Sequence, residues 1–406
     1  MEQRKRLNLL IIVASLGYFV DIYDLIVFNV VKNESLQALG FSGLELKAKE
    51  ILLFNLQMTG MLLGGILWGI MGDKRGRVSV LFGSIFLYSI ANLANAYVTN
   101  INQYAITRFI AGIGLAGELG AGITLVAENM KREKRGYGTM IIVTFGALGA
   151  VVASLVGKNF GWQATYIVGG CMGLALLLLR AGAYESGMYQ NLKEHTNIKK
   201  GNFLTLFKRS DLLLKYIACI LIGLPIWFSI GVLINLSNRF GEALGMVEKV
   251  NVADSVMYAY LGLSAGDLVS GLLSQLLKSR KKVVFIYLAL SFILMVIYLF
   301  NPNVSIDYFK VMCFLLGFAA GYWALFVTIA SEQFGTNIRS TVTNTVPNFV
   351  RGAVVPITLS FASLTIAQGT IWAAFIVGLF CLILAFLATL YIKDSFSKDL
   401  NYFEID

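Results

Sequence analysis

Two aspartates stand three residues apart in an otherwise apolar run, GYFVDIYDLIVFNVV, which extends from residue 17 to residue 31. If this run forms a helix, Asp21 and Asp24 lie on one face of it. A carboxylate in hydrocarbon costs several kcal/mol or binds a proton. The spacing therefore indicates a site that takes up and releases protons.

A buried arginine is the expected partner of these acids. Counting about 1.5 Å of rise per helical residue places Arg108, in a later apolar run, at the depth of Asp24. The sequence predicts an Asp24–Arg108 pair, which Asp21 can share. When substrate or a rearrangement separates the pair, desolvation makes the carboxylate bind a proton, and the neutral form crosses the membrane more easily. Glu118, lower on the same run, would pass the proton inward. The alternative is a permanent structural ion pair.

A second arginine is the candidate for holding substrate. Asn344, Asn348 and Arg351 are spaced by four and three residues, which puts them on one helix face. Arginine binds carboxylates in a bidentate way, so Arg351 is predicted to hold an anionic substrate. The alternative is a pair with Asp267, and both hold if substrate competes with that acid. The aromatic residues predicted to line the substrate cavity are Tyr23, Trp227, Tyr322 and Trp323.

Charged residues at the ends of several apolar runs predict a latch that forms in one conformation and breaks in another. A glutamate followed seven residues later by an arginine occurs twice, 204 residues apart, and Lys281 follows Arg77 at the same offset. We interpret this as a duplication of half the chain. Asp73 would pair with Arg135 or cap a helix terminus; the alternative is that these charges only set topology. The predicted cytoplasmic gate consists of Asp73, Arg77, Glu128, Arg135, Glu332 and Arg339.

The composition indicates a lipid environment. Of the 406 residues, 57% are hydrophobic and 14% are charged, with a mean hydropathy of +0.73. Twelve runs are long enough to cross a bilayer as helices and are numbered here as spans 1 to 12. The predicted spans are 7–31, 51–72, 78–98, 102–128, 137–157, 161–182, 214–236, 251–276, 283–300, 308–331, 340–364 and 369–392.

The loops predict the orientation and the division of the chain. With the N-terminus in the cytoplasm, most of the 33 Lys and Arg residues fall in inner loops, so both termini are expected there. The longest internal polar stretch separates six spans from six. We therefore predict an N-terminal six-helix bundle over 1–183, a cytoplasmic linker over 184–212, and a C-terminal bundle with a cytoplasmic tail over 213–406.

Several function classes are excluded by the residues present. The four cysteines stand singly in apolar runs, and the one histidine, His195, lies in a polar stretch, so no metal site is expected. The net charge of +10 is dispersed among short loops, which argues against a nucleic-acid partner. We find no nucleophile–base pair or phosphate loop, so the chain is not expected to be an enzyme or to need a cofactor other than protons.

Three motifs resemble signatures of the major facilitator superfamily. These are GGILWGIMGDKRGR after span 2, RFIAGIGLAGELGAGITLVAE in span 4 and SEQFGTNIRST after span 10. Within that superfamily the chain is most similar to the proton-linked symporters of organic acids, shikimate and proline or betaine, which carry an acid-x-aromatic-Asp sequence like Asp21-Ile22-Tyr23-Asp24. Span 5 lacks the glycine-proline motif of the drug exporters. The resemblance implies two pseudo-symmetric six-helix bundles around a central cavity that opens alternately to each side.

The sequence thus predicts a secondary transporter that imports a small anionic or zwitterionic metabolite by proton symport. The alternatives are a proton-driven exporter of drugs or a siderophore, a passive uniporter, and a receptor or scaffold without transport. We expect a monomer with a small-molecule substrate and the lipid bilayer as its partners, in a bacterial inner membrane.

Overall fold

The regular secondary structure of this chain is helical throughout the part that the structure describes. The computed structural model describes residues 2–130, 135–180, 203–396 and 398–404, with the backbone alone at residues 2–9, 44, 47, 135 and 205. Ten helical stretches are long and apolar enough to cross a membrane. Two of them contain two spans each, because the chain turns at Gly161 and at Gly369, both with φ of 75°. Glycine adopts such positive φ values without steric cost. The chain is an all-α, multi-pass membrane protein with twelve spans, as predicted.

The first six spans lie in six helices. Their bounds are Glu2–Ala38 for span 1, Gly43–Arg75 for span 2, Arg77–Asn95 for span 3, Ile101–Leu115 with Glu118–Asn129 for span 4, and Arg135–Leu179 for spans 5 and 6.

The second six spans follow in the same order. Span 7 is Ser210–Phe228 continued by the π-helix Ser229–Ile234, span 8 is Val252–Leu276, span 9 is Arg280–Leu299, span 10 is Ile306–Ala320 with Trp323–Gln333, span 11 begins as Arg339–Gly352, and Val354–Tyr391 completes span 11 and forms span 12. Two short helices, Thr205–Lys208 and Ser237–Ala243, flank span 7.

Spans 4 and 10 are both broken, and at corresponding places. Gly117 and Gly321, which the repeat pairs with each other, each lie at the break between two helices. A break leaves backbone N–H and C=O groups without helical partners, so other spans must supply them. The matching breaks are what an internal duplication would produce. Most of the predicted linker lies outside the described residues, and the domain boundaries remain a prediction.

The helices run further than the apolar runs that predicted them. Span 1 was predicted over 7–31 and continues to Ala38 through the polar sequence KNESLQA. A helix satisfies its own backbone hydrogen bonds, so polar residues alone do not end it. The end comes at Gly40, which has φ of 89°.

The two ends of the molecule are defined by span 2. Glu50 lies near its beginning, and Asp73 lies near its end. We call the end with Asp73 the gate end and the end with Glu50 the vestibule end. Contacts between the two halves run mainly between spans 2 and 11 and between spans 5 and 8, where Ser264 donates to the carbonyl of Thr144 at 2.8 Å.

Candidate functional site

Arg351 lies buried beside two tryptophans that contact each other. Its side chain is 1% exposed. Its Cζ atom is 5.8 Å from the ring centre of Trp227 and 5.4 Å from that of Trp323, and the two rings are 6.2 Å apart. Its Nη1 donates to Oδ1 of Asn348 at 3.2 Å. Three of the predicted substrate residues therefore surround the predicted anion-binding arginine.

One edge of the Arg351 guanidinium is left without a partner. Neither Nε nor Nη2 meets a hydrogen-bond acceptor among the described residues. These two nitrogens lie on the same side of the planar group, where a carboxylate binds with both oxygens. A buried charged donor without an acceptor costs free energy, which a bound anion would recover. This arrangement is suited to a carboxylate ligand.

Asp267, the alternative partner predicted for Arg351, accepts a hydrogen bond from a backbone N–H group instead. Oδ1 of Asp267 accepts the backbone N–H of Ala324 at 2.8 Å, at the start of the second helix of span 10. The break before Trp323 leaves this N–H without a helical acceptor, and the carboxylate caps it. No ion pair joins Asp267 to Arg351 in the described part of the chain, so that alternative is wrong. Asp267 instead fixes the helix start that carries Trp323.

Asparagine at position 267 should preserve this cap. Asp267→Asn keeps an oxygen that accepts from Ala324, so we expect a KM within about twofold of the wild-type value. Asp267→Ala leaves the buried N–H unpaired, which costs about 1–3 kcal/mol, and should raise KM by displacing Trp323. Substrate uptake by the two variants, with melting temperatures to verify folding, separates the outcomes. Loss of uptake in the asparagine variant would show that the charge is required.

Asp21 is the acid that faces Arg351. It is fully buried, and neither carboxylate oxygen has a hydrogen-bond partner among the residues described. The charged groups within its electrostatic reach include Arg351, Glu118, Arg180 and Asp24. The free edge of a guanidinium and an unpaired carboxylate therefore occupy the same interior region without forming a contact pair.

The predicted Asp24–Arg108 pair is not a contact pair in this conformation. Arg108 donates to the side-chain oxygen of Gln57, and its Cζ lies 4.9 Å from the ring centre of Phe28. The Asp24 carboxylate is buried against Gly169, whose missing side chain leaves it room, and it interacts with the side-chain amide of Asn92 without the geometry of a full hydrogen bond. The two charges still interact at longer range. The pairing was wrong because Gln57 of span 2 supplies the acceptor that Asp24 was expected to provide.

Glu118 is held in a buried ion pair that the sequence reasoning missed. Its Oε2 accepts from Nη1 of Arg180 at 2.8 Å, and its Oε1 accepts from Nη2 of the same arginine. Arg180 also donates to the carbonyl of Val13 at 3.1 Å. The pair therefore joins spans 1, 4 and 6. This arrangement favours a structural role for Glu118 over the predicted transfer of protons.

Three other predicted substrate residues point elsewhere. The hydroxyl of Tyr23 donates to the carbonyl of Thr165 at 3.0 Å, and that of Tyr322 donates to the carbonyl of Ile222 at 2.9 Å. Both tyrosines thus fasten neighbouring spans together. The amide of Asn344 donates to the carbonyl of Ser340 at 2.9 Å, within its own helix. Helical spacing placed these residues near the site but did not give the direction of each side chain.

The gate end is closed by one ion pair and by hydrogen bonds of Asp73 that cross between the two halves. Oε1 of Glu128 accepts from Nη2 of Arg77 at 3.0 Å and from Nη1 of Arg339 at 3.1 Å. Asp73 accepts the backbone N–H groups of Ser340 at 3.0 Å and Thr341 at 2.8 Å. Asp73 thus caps the start of span 11, which is the second of the two roles predicted for it. All four charged residues are buried.

The second half repeats this arrangement with a shift of one residue. Arg280, not Lys281, occupies the position that corresponds to Arg77, and its Nη2 lies 3.3 Å from Oε1 of Glu332. Lys281 instead donates to the carbonyls of Leu390 at 2.7 Å and Ile392 at 3.0 Å. The Arg280–Glu332 pair lies entirely within the second half of the molecule. Arg135 was also predicted to belong to the cytoplasmic gate, but its side chain lies outside the described residues.

Neutralising Glu128 should loosen the gate end specifically. Glu128→Gln leaves two buried arginines short of a counter-charge, and breaking a buried pair costs about 3–5 kcal/mol. We expect a cysteine placed at Thr124, whose hydroxyl meets that of Thr343 across the halves at 2.6 Å, to be labelled at least about tenfold faster. Glu332→Gln is the matched control, since its pair lies within one half. Equal labelling rates in both variants, in a background without native cysteines, would contradict the assignment.

The segment after span 12 covers the gate end. The carbonyl of Leu400 accepts from Arg339 at 2.5 Å and from the hydroxyl of Thr336 at 3.0 Å. Although partial burial opposes it, hydrogen bonds from the Ser279 hydroxyl and from backbone N–H groups hold the pKa of the Asp394 carboxyl below its usual value. The segment thus packs on the same arginine that binds Glu128.

The vestibule end contains a cleft between spans 1, 2, 7 and 11. Its cavity volume is about 90 Å³, and its lining includes Phe28, Asn55, Gly231 and Phe361. A salt bridge between Lys158 of span 5 and Asp254 of span 8 joins the two halves at this end. The molecule is therefore tightly closed at the gate end and partly open at the vestibule end.

Fold and site together define a class of protein. Two groups of six spans enclose a buried guanidinium with a free edge, between one closed end and one partly open end. This is the organisation of a membrane transporter and not that of an enzyme.

Comparisons with known proteins agree with this class. The model of the Major Facilitator Superfamily matches residues 14–353, and the chain belongs to that superfamily. The 3-(3-hydroxy-phenyl)propionate transporter of Escherichia coli (strain K12) is 26% identical over 329 residues, which are 79% of this chain and 78% of that protein. The niacin transporter NiaP of Acinetobacter baylyi is 33% identical over 134 residues, 32% of this chain and 30% of that protein.

The matches to the first relatives cover less than half of the length of those proteins. Among solved structures, the proton:xylose symporter XylE aligns with a TM-score of 0.77 over 98% of both chains at 15% identity. At that identity the likeness establishes the fold alone.

Proposed function

We propose that this protein imports small aromatic carboxylates together with protons. The single observation that carries the proposal is the free Nε–Nη2 edge of Arg351 beside the indole rings of Trp227 and Trp323. A guanidinium edge binds a carboxylate, and flanking indoles provide surfaces on which an aromatic ring packs. The predicted substrate, an anionic or zwitterionic metabolite, is thereby narrowed to the aromatic carboxylates.

The relatives support this substrate class. Niacin and 3-(3-hydroxyphenyl)propionate, which are named for two of them, each combine one aromatic ring with one carboxylate. A substrate of this form would place its charge on Arg351 and its ring against Trp227 or Trp323. Asn348, which accepts from the other edge of Arg351, would hold the guanidinium in position.

Proton coupling would follow from competition for Arg351. In this conformation, Asp21 and the guanidinium are within electrostatic reach of each other. A substrate carboxylate on Arg351 places a second negative charge in the same buried region, and a proton on Asp21 removes that repulsion. Asp24 and Arg108 form the neighbouring acid–base group and would assist in proton transfer. The coupling ion in this proposal is the proton.

Alternating access would use the two ends described above. The gate end carries the basic loops predicted to be cytoplasmic, so the partly open vestibule would face outward in this conformation. Breaking the Glu128–Arg339 and Asp73–span 11 contacts would open the inner side. We place both termini in the cytoplasm of a bacterial cell, the protein in the inner membrane, and the working unit as a monomer.

Uptake into proteoliposomes tests the proposal. Radiolabelled niacin and 3-(3-hydroxyphenyl)propionate would be offered under an imposed inward proton gradient, with nicotinamide as the neutral control. Accumulation of the acids above the external concentration, abolished by a protonophore, would support proton-driven import. Equilibration without accumulation would indicate a uniporter, and gradient-driven outward flux would indicate an exporter.

A further inference from the structure

A tyrosine on span 1 lies beside the anion site and was not among the predicted residues. Tyr18 precedes Asp21 by three residues and therefore shares its helix face. Its side chain is 3% exposed, and its ring packs over Gly146 of span 5, where any side chain would collide with it. Arg351 and Asp21 are both within its electrostatic reach. Tyr18 and Arg351 thus lie near each other on opposite halves of the molecule, and both contact Trp323.

The hydroxyl of Tyr18 is oriented by a tryptophan of the site. Nε1 of Trp323 donates to the phenolic oxygen at 2.9 Å, across the two halves. The indole N–H is a donor only, so the tyrosine oxygen must accept in this bond and its own proton points elsewhere. Within the described ranges no residue accepts that proton. A buried O–H donor is therefore available next to a buried guanidinium edge.

We propose that the Tyr18 hydroxyl donates to the carboxylate bound at Arg351. One anion would then be held by Arg351 of the second half and Tyr18 of the first half. Trp323 would have two roles. Its ring would flank the ligand, and its N–H would orient the Tyr18 hydroxyl. The inference rests on the proposed function, since it requires a carboxylate on Arg351.

Binding of radiolabelled niacin to the full-length protein in nanodiscs tests this inference. Tyr18→Phe removes only the hydroxyl, and we expect the Kd for niacin to rise about tenfold. Tyr23→Phe is the matched control on the same span, because that hydroxyl donates to the Thr165 carbonyl, and its Kd should be unchanged. A wild-type Kd in Tyr18→Phe would overturn the inference. Failure of the wild type to bind either aromatic acid would instead overturn the proposed function together with it.

A double-mutant cycle with Trp323 keeps the test independent of general effects on folding. Trp323→Phe keeps a ring but removes the N–H that orients Tyr18, so it should raise the Kd in the wild-type background. In the Tyr18→Phe background there is no hydroxyl to orient, so Trp323→Phe should raise the Kd by a smaller factor than it does in the wild-type background. Strictly additive effects, at comparable melting temperatures, would show that the two residues do not act together and would overturn the inference.

Discussion

Replacing Arg351 by lysine is expected to raise the KM for aromatic acids about 10–100-fold, although the positive charge is kept. Lysine cannot present two parallel N–H donors to a carboxylate. One charge-assisted hydrogen bond lost corresponds to about 1.5–3 kcal/mol, which is the range stated. Initial rates of niacin uptake in proteoliposomes measure the effect. Because Arg351 contacts both tryptophans, the variant should also change the response of tryptophan fluorescence to niacin.

The control for this prediction is an arginine outside the site. Arg209 is exposed and pairs with Asp211, so Arg209→Lys should leave KM unchanged. The predicted increase in KM for Arg351→Lys applies to anionic substrates. A KM in Arg351→Lys that equals the wild-type value would remove the arginine from the substrate site, and with it the main support for a carboxylate substrate.

Asp21→Asn is expected to abolish accumulation while exchange continues. In a one-proton symporter, a gradient of two pH units can sustain about 100-fold accumulation. Asparagine keeps the size and polarity of the side chain but cannot take up a proton, so the internal concentration should only reach the external one. Counterflow of labelled against unlabelled niacin needs no net proton movement and should stay within a few-fold of the wild-type rate. Both assays use the same vesicles.

Asp24→Asn is the comparison that assigns the coupling residue. Asp21 lies within reach of Arg351, whereas Asp24 lies within reach of Arg108. If Asp24→Asn loses accumulation and Asp21→Asn keeps it, proton binding belongs to the Arg108 group and the competition mechanism at Arg351 is wrong. Loss in both variants would indicate that the two acids act as one unit.

The twelve spans could be predicted from the sequence because the lipid solvent leaves few choices. A run of about 20 apolar residues in hydrocarbon must form a helix. The orientation that the basic loops indicate stays a prediction. Arg351, Trp227 and Trp323 were all predicted to belong to the substrate site, and the structure brings the three side chains together. The repeat paired Gly117 with Gly321, although the helix breaks at these glycines in spans 4 and 10 were not predicted.

The partners of the buried charges could not be predicted in the same way. Gln57 took the place expected of Asp24, and Arg180 was not predicted as the partner of Glu118, because depth along a helix does not define rotation about its axis. A rotation of one residue turns a side chain by about 100°, which is enough to exchange one neighbouring span for another. Arg280 was missed for Lys281 for the same reason. Tyr18 carried a usable signal, its spacing of three residues from Asp21.

Asn348 contacts both the anion site and the interface between the two halves. Its Oδ1 accepts from Arg351, and its Nδ2 donates at 2.8 Å to the carbonyl of Ala116, next to the break in span 4. Because a planar amide cannot move one end without the other, a shift of the guanidinium towards a ligand would pull on the hydrogen bond that crosses the interface. Occupancy of the site and cohesion of the two halves thus depend on the same amide, and a ligand can change the second by binding at the first.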